Sequence, residues 1–184
     1  MFVRFAIVAL ALGASACQRQ PTGGEAPAAM EAPAQQGEAA RVFAPANEAA
    51  RAGWGDLTLT MSLHLPDQAG GDAQEMLTLR AVRGLVVEAQ LSTAVAPATE
   101  VQGRTLRALL ALPVDASQTL AYRVIEETRP EGLAGLCGAA EATSVLIWEP
   151  SAPGETALKI MGFTGGLPGA ADARACQLLE FTRR

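Results

Sequence analysis

Residues 56–65 read DLTLTMSLHL. In an extended chain Leu57, Leu59, Met61, Leu63 and Leu65 fall on one side, and Thr58, Thr60, Ser62 and His64 on the other. Successive strand side chains point to opposite faces, so this period of two predicts a strand with one buried face. Pro66, Gly70 and Gly71 then interrupt it as a turn. EMLTLRAVRGLVVEAQLS repeats the alternation as two strands, about 76–83 and 85–92, turning at Arg83-Gly84 or running on through a glycine bulge. QTLAYRVIEE (118–127), TSVLIWE (143–149), TALKIMGFT (156–164) and RACQLLEFT (174–182) read as further strands. GRTLRALLALP (103–113) has the Leu, Ala and Arg content of a short helix, with Leu106, Leu109 and Leu110 on one face. NEAARAG (47–53) has room for one helical turn. Strands separated by short Gly/Pro turns predict a mainly β domain over residues 47–184, an antiparallel β-sandwich or small barrel with one short helix.

Ahead of this body the composition changes. Residues 18–46 are rich in Ala, Pro, Gln, Glu and Gly and poor in large apolar side chains, so burial cannot offset the entropy of ordering them. This predicts a disordered tether. Its 29 residues have a relaxed span of roughly 30 Å and a stretched reach on the order of 100 Å. The first residues carry one charged side chain, Arg4, then the apolar run Phe5 to Leu12, then the small residues Gly13 to Ala16. That is the layout of a secretory signal over residues 1–16. The apolar run is too short to span roughly 30 Å of hydrocarbon at 1.5 Å per residue.

The stretch Ala14-Ser15-Ala16-Cys17 resembles the lipobox of bacterial lipoproteins, with Ala14 where Leu is usual. The resemblance covers residues 1–17. It implies cleavage before Cys17, a diacylglycerol on its sulfur and an acyl chain on the new amino group. Several chains anchor stably where one does not, at ~0.8 kcal/mol per buried CH₂. The alternative is an ordinary signal peptide cut after Ala14-Ser15-Ala16. The resemblance further implies a cell-envelope location, and Gln18 after the lipidated residue, where an Asp would favour the inner membrane, favours the outer membrane facing the periplasm. The membrane is then one partner through the anchor. An envelope protein or glycan of unspecified identity is the other.

Removing Cys17 leaves Cys137 and Cys176, an even pair in an exported chain, which predicts a disulfide. The pattern Leu136-Cys137-Gly138, then Trp148, MGFTGGLPG and Cys176, is similar to small exported proteins of proteobacteria. That likeness spans about residues 120–184 and implies a disulfide-stapled C-terminal domain and no particular reaction.

The net charge is −5, or −6 without Arg4, with no basic patch, so nucleic acid is not an expected partner. No catalytic constellation, cofactor motif or metal site is read from the residues. His64 is the only histidine, which excludes a site with several His ligands. There is no Gly-x-Ser-x-Gly, Ser-x-x-Lys, phosphate loop or dinucleotide fingerprint. Glu126 and Glu127 are strand neighbours facing opposite ways, hence not a glycosidase pair. Lys159, the only lysine, sits in an apolar strand, where it snorkels or guards an edge. Trp148 belongs to the core. Trp54, between Gly53 and Gly55, either packs at the base of the domain or meets a partner, and is the candidate partner contact. The expected role is a lipid-anchored binding or scaffolding domain. Alternatives are an envelope inhibitor, in the manner of lipoproteins that block lysozyme, an assembly factor, or a hydrolase using carboxylates brought together by the fold.

Overall fold

The computed structural model describes residues 40–65, 72–150 and 157–184. The signal segment, Cys17 and the tether as far as residue 39 lie outside the described residues.

Among the described residues, ten strands and two short helices follow in order: β1 (Arg41–Pro45), α1 (Glu48–Gly53), β2 (Leu57–His64), β3 (Gln74–Ala81), β4 (Val86–Val95), β5 (Glu100–Val101), β6 (Arg104–Thr105), α2 (Leu106–Leu109), β7 (Thr119–Thr128), β8 (Ser144–Trp148), β9 (Ala157–Thr164) and β10 (Arg174–Arg183). Eight of the strands form a closed antiparallel barrel in the order β1-β10-β9-β8-β7-β4-β3-β2. Of the two architectures the sequence allows, the fold is therefore the barrel.

Closure comes from β1. Phe43 stands opposite Leu57 on one side and Arg183 on the other. These residues fall within the stretch assigned to the tether, so the body begins at residue 41. The physical reason is that Val42 and Phe43 supply what the surrounding Ala/Pro/Glu sequence lacks: Phe43 is 1% exposed in the barrel interior. Closing the sheet also removes two free edges.

The alternation of DLTLTMSLHL holds where the strand lies in the wall. Leu57 and Leu59 are fully buried, while Leu63, opposite Glu75 near the end of β2, and Leu65 just beyond it are exposed. The interior is packed with Phe43, Trp54, Leu77, Leu79, Ile160 and Phe181 among others. An eight-stranded barrel has a lumen that side chains are just able to fill, and here they do. Arg83-Gly84 forms the expected turn, with Gly84 at φ 94°.

A second apolar cluster lies outside the wall. The chain between β4 and β7 crosses the outer face and lays Val101, Leu106 and Leu110 on Leu146, Trp148, Met161 and Phe163. This buries both faces of β8, all five residues of which are buried. The predicted helix over 103–113 is corrected to a single turn, α2. Gln102 and Gly103 both take positive φ, 52° and 72°, which makes a tight hairpin between β5 and β6. Thr105 then caps α2 by accepting a hydrogen bond from Ala108 N at 3.3 Å.

Lys159 fastens this excursion. It is not on an edge, since β9 lies between β8 and β10. Its Nζ donates to the Leu110 and Ala111 carbonyls at 2.9 Å each and pairs with Glu180 at 3.0 Å. Free carbonyls at a helix end favour such a cation. Ala111 itself sits at φ 48°, a left-handed conformation that costs an L-residue about 1–2 kcal/mol. Ala111→Gly is therefore expected to raise stability by up to about 1 kcal/mol, read as a higher denaturant midpoint. An unchanged midpoint would argue against strain there.

The end of the barrel near Trp54 is closed by α1 and by the loop 129–142. Asn47 caps α1, accepting from Ala50 N at 3.0 Å, and its Nδ2 donates to Leu178 O on β10 at 2.9 Å. Leu136 enters the interior cluster fully buried. Gly162 on β9 leaves the space: a Cβ there would come within 2.9 Å of Cys137 Sγ and press on Leu136. Cys137 and Cys176 stand at disulfide distance, their Cα atoms 5.2 Å apart, and tie this loop to β10.

Candidate functional site

The other end of the barrel is its mouth. Period-two alternation carries the inward face of each strand past the apolar core, and four strands and the residue just after β8 place non-aliphatic side chains there. Arg41 lies two residues before Phe43, Met61 two after Leu59, Glu75 two before Leu77, and Glu149 two after Ile147. Tyr122 points inward from β7.

These groups bond in two sets. Arg41 Nη1 lies 2.7 Å from both carboxylate oxygens of Glu149. Arg41 Nη2 reaches Met61 Sδ at 3.5 Å, and the guanidinium lies 5.9 Å from the Phe43 ring centre. The ion pair is about three-quarters covered, with side-chain exposures of 22% and 26%. Tyr122 is fully buried and its hydroxyl donates to Glu75 Oε1 at 2.6 Å, the length of a charge-assisted bond.

Burial pushes the Tyr122 phenol above its usual range. The hydrogen bond to Glu75 and the Glu75 charge push the same way, Arg41 opposes them, and Glu149 adds to the rise. The sign for stability follows. The protonated phenol is favoured in the fold, so this contribution is intact below about pH 10, the pKa of an unfolded tyrosine, and is lost above it. Tyr122 is the only tyrosine, so ultraviolet absorbance reads it alone. The folded protein is expected to show no phenolate band at about pH 11, whereas the denaturant-unfolded chain titrates near 10. Stability should fall with pH above about 10, and Tyr122→Phe should lessen that slope. A phenolate band in the folded protein near pH 10 would contradict the burial.

A cleft of about 390 Å³ opens over this end. Its apolar lining is Met61, Pro113, Ala116, Leu120, Ile147, Trp148 and Pro150, and its polar lining is Asp115, Ser117, Gln118, Thr119 and Glu149. Scans against protein-family models, curated proteins and solved structures each return no match. The functional reading therefore rests on this geometry.

A second, wider groove of about 740 Å³ runs along Arg123–Glu127, Arg129, Glu141–Thr143 and Gly165–Leu167. It exists because β7 pairs with β8 only over Leu120–Arg123, and the rest of β7 diverges. Its central groups hold the closing loop. Glu127 accepts from Leu136 N at 2.7 Å and Ala142 N at 3.3 Å, and Arg129 donates to Gly138 O at 3.0 Å. Glu126 is exposed and accepts from Thr128 Oγ1 at 3.1 Å, so the two adjacent carboxylates do different jobs.

Trp54 does not serve as the candidate partner contact. It is 0% exposed and meets Phe181 edge-on, with ring centres 6.5 Å apart at 73°. Gly53 ends α1, and Gly55, in the turn that follows, sits at φ 69°. His64 is exposed at the end of β2. Among the described residues, no three His, Cys, Asp or Glu side chains converge as a metal-binding set. The mouth residues escape a reading of the sequence because each looks like an ordinary strand-end polar group. The available signal is a break in the alternation: Arg41, Glu75 and Glu149 stand where the pattern calls for an apolar residue.

Proposed function

We propose that this chain is a lipid-anchored periplasmic domain, held through Cys17 at the outer membrane, that binds or scaffolds a cell-envelope partner through the mouth of its barrel. The observation that carries the reading is the mouth itself. The lumen is filled, so recognition falls to the surface, and at this end buried Tyr122 and half-buried Arg41, Glu75 and Glu149 lie beside a cleft whose lining includes Met61, Leu120 and Ile147. The cysteine pair at disulfide distance suits an oxidising compartment. Residues 18–40 would give the body a stretched reach of about 75 Å from the anchor.

The hydrolase alternative draws less support. Glu75 and Glu149 both face inward at the mouth, but Glu75 accepts from Tyr122 and Glu149 is paired with Arg41.

Two experiments test the proposal. Non-reduced intact mass of the membrane-extracted protein is expected to start at Cys17 with added acyl chains and two hydrogens missing. An unlipidated mass would remove the anchor. A photo-crosslinking residue at position 118, inside the cleft, is expected to capture an envelope component. Capture only from positions away from the cleft would move the binding surface elsewhere, and turnover of an envelope substrate by homogeneous protein would replace the reading with an enzymatic one.

A further inference from the structure

We infer that the mouth cleft receives a basic side chain, lysine or arginine, from a protein partner. The inference rests on the reading of the mouth as the partner-binding end. Among the described residues lining the cleft, the only charged ones are Asp115 and Glu149, both acidic. Asp115 is exposed on the rim and makes no hydrogen bond or ion pair with the described residues. Glu149 is held by Arg41 Nη1. A carboxylate offers about four lone-pair sites, so Glu149 keeps acceptor capacity beyond its two contacts to Arg41, which offsets its charge and leaves Asp115 as the uncompensated carboxylate of the described lining.

The shape fits the same occupant. A lysine or arginine carries an apolar stem and a charged head, and buries the one while pairing the other. Met61, Leu120 and Pro150 offer a surface for the stem, and Asp115 and Glu149 lie within the same cleft for the head. Ser117 and Gln118, both exposed, add further acceptors for a guanidinium or ammonium. At longer range the chain's net charge of −5 favours approach of a cationic surface. A glycan finds less here: Trp148 is the only aromatic residue of the lining and is 7% exposed, which leaves no open ring face for a sugar.

The test uses the full-length chain in its own cells with the photo-crosslinker at position 118, and identifies the crosslinked segment by mass spectrometry. The expected result is a protein segment with a lysine or arginine at the crosslink. Asp115→Lys should then lower the yield by about tenfold, and acidic replacement of the partner's basic residue should restore it. Asp115 is an exposed rim residue, so this variant leaves the barrel intact, which circular dichroism verifies. A yield unchanged by Asp115→Lys and by about 0.5 M salt would overturn the inference while leaving the binding reading in place. So would a crosslink to a glycan, to lipid or to an acidic segment. No capture from position 118 would sink both.

Discussion

Replacing Cys137 and Cys176 together by alanine is expected to lower the stability of the folded body by about 4 kcal/mol. The two residues are 39 positions apart, and chain-entropy arguments assign a crosslink of that length about this much. Many domains have a net stability of only about 5–15 kcal/mol, so the loss is a large share. The placement adds to the effect. Cys137 follows Leu136, which fills the closed end of the barrel, and that loop is otherwise held by Glu127 and Arg129. Equilibrium denaturation with and without reductant is the measurement. Reducing the native protein should lower the midpoint about as far as the double replacement, and the double variant should not respond to reductant. A drop below about 1 kcal/mol would mean that the carboxylate and guanidinium contacts hold the loop unaided.

Trp54→Ala is the second large effect, expected at about 3–5 kcal/mol. The ring is fully buried among interior residues and packs edge-on against Phe181. Its removal leaves a cavity beneath α1 that a closed wall cannot collapse to fill. Trp54→Phe separates volume from polarity. Trp54 Nε1 is buried and finds no partner among the described residues, so phenylalanine forfeits no hydrogen bond and should cost only roughly 1–2 kcal/mol. Denaturant midpoints with unchanged slopes would report both values. If alanine cost less than about 1 kcal/mol, Trp54 would not be a core residue, and its place at the base of the body would need a different account.

Several features are legible in the chain itself because they are local. The period of two in residues 56–65 and 76–92 belongs to the pleat of a single strand and needs no partner to be read. The turn at Arg83-Gly84 and the apolar density of 143–149 are local in the same sense. The pairing of Cys137 with Cys176 is reachable by elimination, since only two cysteines remain after Cys17.

Other features depend on which strands meet. Val42 and Phe43 look incidental in an Ala/Pro-rich stretch, and only pairing with Arg183 at the far end of the chain turns them into the closing strand. The 103–113 segment has helical composition, yet the positive φ of Gln102 and Gly103 and the outer wall of the barrel reduce it to a hairpin and one turn. Trp54 looks accessible between two glycines, and the barrel end encloses it.

The mouth is the extreme case. Arg41 and Glu149 are 108 residues apart, and Tyr122 and Glu75 are 47 apart. Nothing in the spacing announces either pair. The sequence by itself determined seven of the eight barrel strands and the cysteine pair, because side-chain alternation and cysteine number are properties of the chain. The tertiary structure alone decided that the sheet closes, and that four polar residues, three from strands and Glu149 from just beyond β8, share one end of it. Those follow from register between distant strands, where a shift of one residue would send every side chain to the opposite face.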